Sequence, residues 1–149
     1  MARTTWKPVT PAAWDDLVEL FGPRGACGGC WCMWWRLSRG DFVRRKGDGT
    51  RRALKRLVDR GTVPGILAYD GGRPVGWCCV GPRADFPLLE RSRVLARVDD
   101  EPVWSIVCFF VARDRRRRGM TRKLVAAAVT FARSRGAAAI IPASITPVR

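Results

Sequence analysis

The sequence predicts one mixed α/β (α+β) domain over residues 1–149, a sheet flanked by helices in the order β-α-α-β-β-β-α-β. Three observations carry this. Two apolar stretches bracket the turn Asp70-Gly71-Gly72, as in a hairpin. The run Val103 to Val111 is strongly apolar and reads as a central strand. A basic turn with one glycine then leads into an amphipathic helix. A chain of this length buries roughly 70% of the surface its unfolded form exposes, enough for a core.

The elements follow in order. Thr4 to Val9 reads as a short strand, closed by Pro8 and Pro11. A helix comes next, with Thr10 as N-cap, Pro11 at its first position, and Asp15 and Asp16 near the positive end of its dipole. Trp14, Leu17, Val18 and Phe21 make one apolar face, and Gly22-Pro23 stops it. A Gly- and Cys-rich segment runs into the aromatics Trp31, Trp34 and Trp35. Residues 36–49 read as loop with some helix. Thr50 is expected to cap a second helix ending at Gly61. Val63 to Tyr69 and Arg73 to Val80 form the hairpin, with Val75 and Trp77 alternating against Gly76 and Cys78. Residues 82–101 are rich in turn formers. After Val111 a helix spans about Thr121 to Arg135, and Ala137 to Ile141 is the last strand.

Charge is the loudest compositional signal. Lys and Arg number 28 against 13 Asp and Glu, a net of +15. Residues 36–60 hold ten basic and three acidic residues, and residues 113–123 hold seven and one. An anionic partner fits: nucleic acid, a polyphosphate or a phosphorylated cofactor. Arginine outnumbers lysine 24 to 4, a skew that GC-rich coding also produces. No stretch approaches the ~18 apolar residues of a membrane span. Met1 to Pro8 lacks the apolar core of a secretory leader, so the expectation is a cytoplasmic protein away from membranes. Histidine is absent, which removes Ser-His-Asp and Cys-His nucleophile designs and imidazole metal sites. The six cysteines are expected to be reduced, and no metal is expected. Cys27, Cys30 and Cys32 could start a zinc site, but a closed site needs a fourth ligand from Cys78, Cys79 or Cys108.

The segment 111–124 concentrates the chemistry. A strand end, a basic turn and a helix start offer unpaired N–H groups and a positive dipole to an anion. The same residues also fit a solvated turn. Val111, Arg116, Gly119, Thr121 and Leu124 stand in the register of the acetyl-CoA motif of the GCN5-related N-acetyltransferase (GNAT) superfamily, which the chain resembles. Thr121 departs from the motif's usual Gly or Ala. The strand order is similar too, as is the segment Cys30-Trp-Cys-Met-Trp-Trp-Arg36, which resembles a bacterial subgroup.

The resemblance implies acetyl transfer from acetyl-CoA to a primary amine, on a small molecule or peptide, by direct attack. It implies that the main chains of Phe109 and Val111 pair with the pantetheine arm. Arg116, Arg117, Arg118, Gly119, Met120 and Thr121 would hold the pyrophosphate. Glu101 is the candidate base, directly or through water, against the reading of Asp99 to Glu101 as a solvated acidic turn; Ser105 is a second candidate. The family's domain continues with a helix and strands that this chain is expected to lack. That leads to an expectation of weak catalysis and of pairing with a second copy. The alternatives are a basic nucleic-acid module, against which the lack of an RRM, helix-turn-helix or zinc-finger pattern counts, and a remnant that only binds CoA. Trp31, Trp34 and Trp35 could wall an acceptor pocket or lie in the core.

Overall fold

The computed structural model describes residues 3–90 and 103–142. Its strands are β1 (Thr4–Pro8), β2 (Gly65–Asp70), β3 (Arg73–Pro82), β4 (Val103–Val111) and β5 (Ala139–Pro142). They form one sheet in chain order, antiparallel from β1 to β4 and parallel between β4 and β5. The main helices are α1 (Trp14–Phe21), α2 (Arg39–Arg45), α3 (Asp48–Asp59), the short α4 (Pro87–Glu90) and α5 (Met120–Ser134). The expected order holds, with α2 and α4 added to it. No helix among the described residues is long and apolar enough to cross a membrane.

The sheet has two apolar faces because successive strand residues point oppositely. On one face Trp14, Leu17 and Phe21 of α1 and Leu54 and Val58 of α3 pack on Leu67, Tyr69, Trp77 and Cys79. On the other, Met120, Leu124, Ala128 and Phe131 of α5 pack on Ile66, Ala68, Cys78 and Val80. Gly76 lets α5 approach closely: a Cβ there would lie 3.1 Å from a Leu124 methyl and 3.3 Å from Met120.

Two bulges break the simple alternation. Ala68 pairs with Gly76 and Tyr69 with Pro74, leaving Val75 as the extra residue. Val75 therefore joins the α5 face while Trp77 joins the α1 face, which corrects their expected alternation. In β4, Cys108 pairs with Cys79 and Ile106 with Val80, so Val107 is the extra residue.

Helix starts differ from expectation as well. Thr10 precedes a 3-10 turn, Pro11–Ala13, and makes no side-chain cap bond. Thr50 is not the N-cap of α3 but its third residue, with Gly47 at the cap. Its hydroxyl accepts from Gly47 N–H at 3.1 Å and donates to Gly29 O at 2.6 Å. Thr50 thus ties α3 to the glycine-rich segment, a contact 21 residues long in sequence.

That segment folds in against α1. Trp31 is buried, stacked on Trp14 at 6.0 Å and edge-on to Phe21 at 5.3 Å. Trp35 also packs on this core, while Trp34 is exposed beneath the Arg39 guanidinium. Cys32 reaches over to β4 and forms a disulfide with Cys108. The expectation of six thiols is corrected to four, because the segment folds back over the bulged strand.

Candidate active site

β5 pairs with β4 only from Val103 to Ile106. Beyond Ile106, β4 has a strand partner among the described residues on its β3 edge alone. Among the described residues, the main chain from Val107 to Val111 thus has an unpaired edge, where an extended chain can add as a further strand. Phe109 is 37% exposed.

At the end of β4 the chain turns sharply. Residues Arg113–Arg115 form a 3-10 turn, Arg117 has φ of 61°, and Gly119 has φ of 78°. Gly119 is the N-cap of α5, a 15-residue helix with no side-chain cap and no acidic residue in its first turn. Its first N–H groups lack helical acceptors, and no carboxylate in its own first turn compensates its dipole end. A Cβ on Gly119 would meet no atom within 4 Å. The space in front of these N–H groups is open, a cavity of about 350 Å³ lined by Val111, Arg115, Arg116, Arg117, Gly119, Met120, Thr121 and Arg122.

The arginines of the turn divide by role. Arg115 donates to Asp70 at 3.0 Å and to Asp114 at 3.1 Å, bracing the turn against the β2–β3 hairpin. Arg73 grips Asp114 with two bonds, at 2.7 and 3.1 Å. These bonds hold the Asp114 carboxyl below its ordinary range. Arg116 donates from Nε to Val111 O at 2.9 Å and lies over the Phe110 ring. Arg117 and Arg118 are exposed, and Arg117 lines the cavity. Two of the turn's arginines thus hold its shape, and the acids close to it are already paired.

The structure gathers Phe109, Val111, Arg116, Arg117, Arg118, Gly119, Met120 and Thr121 at one end of β4. Met120 buries its side chain in the α5 core, so only its main chain faces the cavity. Ser105 lies six residues back along β4, about 20 Å away at ordinary strand rise. It is 1% exposed, and its hydroxyl has no partner among the described residues. Glu101, with Asp99 and Asp100, lies outside the described residues.

The only tyrosine, Tyr69, is buried beside α1 and donates to Asp16 at 2.7 Å. Burial, then the bond to Asp16, holds its phenol well above the usual value. The cysteines do not converge: Cys27 is exposed, Cys32 is paired with Cys108, and Cys78 and Cys79 point to opposite faces. Among the described residues, no three potential metal ligands cluster. Two residues absent from the sequence-derived site emerge here. Arg115 braces the turn through Asp70, a pairing 45 residues apart that no local pattern encodes. Arg36 was visible only as the end of an aromatic segment, and its place over β3 is tertiary.

Comparison with known proteins bears on the family and the fold. The model of the acetyltransferase (GNAT) family matches residues 31–145. No curated protein matches the chain. Among solved structures, an aminoglycoside N-acetyltransferase AAC(6')-Iy in complex with CoA is similar at a TM-score of 0.64. It is 15% identical, over 99% of this chain and 80% of that one. A ribosomal-protein-alanine N-acetyltransferase from Brucella melitensis biovar Abortus is similar at a TM-score of 0.57 and 11% identity, over 98% and 82% of the two chains. An aminoglycoside 6'-N-acetyltransferase AAC(6')-IG from Acinetobacter haemolyticus gives 0.56 and 16% identity, over 96% and 81%. At such identities the likeness is one of fold.

Proposed function

The chain belongs to the acetyltransferase (GNAT) family, and we propose from this that it moves an acetyl group from acetyl-CoA to a primary amine. The observation that supports this most is the uncapped N-terminus of α5, with left-handed Gly119, beside the open half of β4. A pyrophosphate needs clustered N–H donors and no free competing carboxylate; this turn offers the donors, and its Asp114 is held by Arg73 and Arg115. The amides from Arg117 to Thr121 hold the pyrophosphate, with Arg117 and Arg118 adding charge at its rim. Arg116 fixes the strand end by its bond to Val111 O. The main chains of Phe109 and Val111 hold the pantetheine arm, which runs back along β4 toward the Val107 bulge.

Bound there, acetyl-CoA supplies a thioester for direct attack. The amine nitrogen forms a bond to the acetyl carbonyl carbon, the carbon–sulfur bond breaks, and the proton lost by nitrogen is returned to sulfur. The protein supplies proximity, and a β4 backbone N–H for the carbonyl oxygen as it gains charge. In this proposal Glu101 takes the amine proton, directly or through water. Ser105 has no base beside it among the described residues and hydrogen-bonds the acceptor.

The test is release of the CoA thiol from acetyl-CoA on adding primary amines. Amine-dependent release, with one acetyl gained per thiol by mass spectrometry, is the expected result. Binding of CoA without any transfer to a broad panel of amines and peptides would reduce the chain to a CoA-binding protein.

A further inference from the structure

The α1-side face holds three buried polar atoms without a partner among the described residues: Arg36 Nε, Arg36 Nη2 and Ser105 Oγ. They are neighbours. Ser105 pairs directly with Gly81 across β3 and β4. A Cβ at Gly81 would lie 3.7 Å from Arg36 Nη2 and 3.6 Å from the Phe86 ring. Residues directly opposed in antiparallel strands send their side chains to the same face. The Ser105 hydroxyl therefore emerges on the face where the Arg36 guanidinium lies, and Gly81 leaves the space between them unfilled.

The chemistry of the unpaired atoms is specific. Nε and Nη2 are the two nitrogens on one edge of a guanidinium, the fork that meets both oxygens of a carboxylate. Phe86 stacks on the guanidinium, 4.5 Å from ring centre to carbon, which leaves that edge as the bonding direction. Cys79 lies beside Arg36, but burial pushes its thiol up to about 11 despite the guanidinium, so it supplies no anion near neutral pH. No carboxylate among the described residues pairs with Arg36. Arg36 is half-buried with Nε and Nη2 shielded from solvent; a cation held so without an anion is unfavourable, and a ligand carboxylate relieves it.

The position suits an acceptor. Ser105 stands just before the Val107 bulge, where the open half of β4 begins. Under the function proposed above, on which this inference rests, the thioester arrives at that end of the strand. We propose that Arg36 Nε and Nη2, with Ser105 Oγ, form a carboxylate subsite for the acceptor, which is therefore an amine carrying a carboxylate, such as an amino acid. Phe86 is the side chain that gives way as the carboxylate enters. A polycationic amine is a poor fit, since it would meet Arg36 with like charge.

The experiment compares matched acceptors on the full chain: L-alanine with ethylamine, and L-2,4-diaminobutyrate with 1,3-diaminopropane. Two readouts are used, acetylation rate and the NMR signal of Arg36 Nε–H, assigned by its loss in Arg36→Gln. The carboxylated member of each pair is expected to react at least 100-fold better by kcat/KM and to shift the Arg36 signal. Arg36→Gln should remove that preference, through KM, while acetyl-CoA binding stays within twofold. Arg36→Lys, which keeps the charge but not the fork, should restore part of it. The melting temperature of Arg36→Gln should not fall, because a half-buried unpaired charge is removed; a purely structural arginine would lower it. Equal use of both members, or carboxylates that neither react nor shift the signal, overturns the proposal. Failure of the wild-type chain to bind acetyl-CoA would instead sink the function on which it rests.

Discussion

Gly119 shows how one residue positions a site. At φ of 78° a side chain is strained by about 1–2 kcal/mol, yet no protein atom blocks a Cβ there. Gly119→Ala should therefore cost little more than that strain in stability, measured by denaturant unfolding. Asp114 makes a second test. Its carboxyl is lowered chiefly by the Arg73 hydrogen bonds. A depressed native pKa stabilises the fold above the unfolded value of about 3.9, and the contribution is lost as pH falls through the lower native value. In Arg73→Gln, Asp114 should titrate higher by NMR; an unmoved midpoint would show that Arg73 is not the cause. A third test concerns the Cys32–Cys108 pair, which predicts four reactive thiols in denaturant without reductant and six with it. Six under both conditions would contradict the pairing. The motif residues were legible one by one, because a glycine-bearing basic turn has a local signature. The disulfide and the Arg115–Asp70 bond were not, since each joins residues far apart in sequence.

Among the elements, β3 and α5 matter most to the site. Their contact depends on Gly76, where a side chain would press on Leu124 and Met120. Gly76→Val should lower stability by about 1–3 kcal/mol by overpacking, and weaken acetyl-CoA binding by displacing the start of α5. Unchanged stability would mean that α5 is free to shift. Leu124→Ala, a cavity beneath the same helix, should lose about 2–5 kcal/mol. The bounds of β4 and the hairpin turn were readable from apolar runs and turn residues. The bulges at Val75 and Val107 were not, because a period-two pattern assumes an unbroken register. The start of α3 was misread since Thr50 is a favourable cap type, whereas its hydroxyl serves the Gly29 carbonyl.

For the molecule as a whole, the net charge of +15 invites a nucleic-acid reading. The structure divides that charge. Within residues 36–60, Arg36, Arg39, Arg51 and Lys55 lie over aromatic rings, and Arg44 pairs with Asp41. The segment's basic composition thus serves the fold in part, whereas the 113–123 turn opens onto a cavity at a helix start. The fold and the glycine-bearing turn were legible because both are encoded in local strings; the face proposed for the acceptor was not, because it is assembled from the α1–α2 segment, β3 and β4. The most direct test of the account is calorimetric titration at physiological salt with acetyl-CoA and with a short DNA duplex, on the wild-type chain and on Gly119→Trp. One acetyl-CoA bound per wild-type chain, at least tenfold weaker binding by Gly119→Trp, and no saturable duplex binding is the result predicted. Equal acetyl-CoA binding by Gly119→Trp, or saturable binding of the duplex alone, would contradict it.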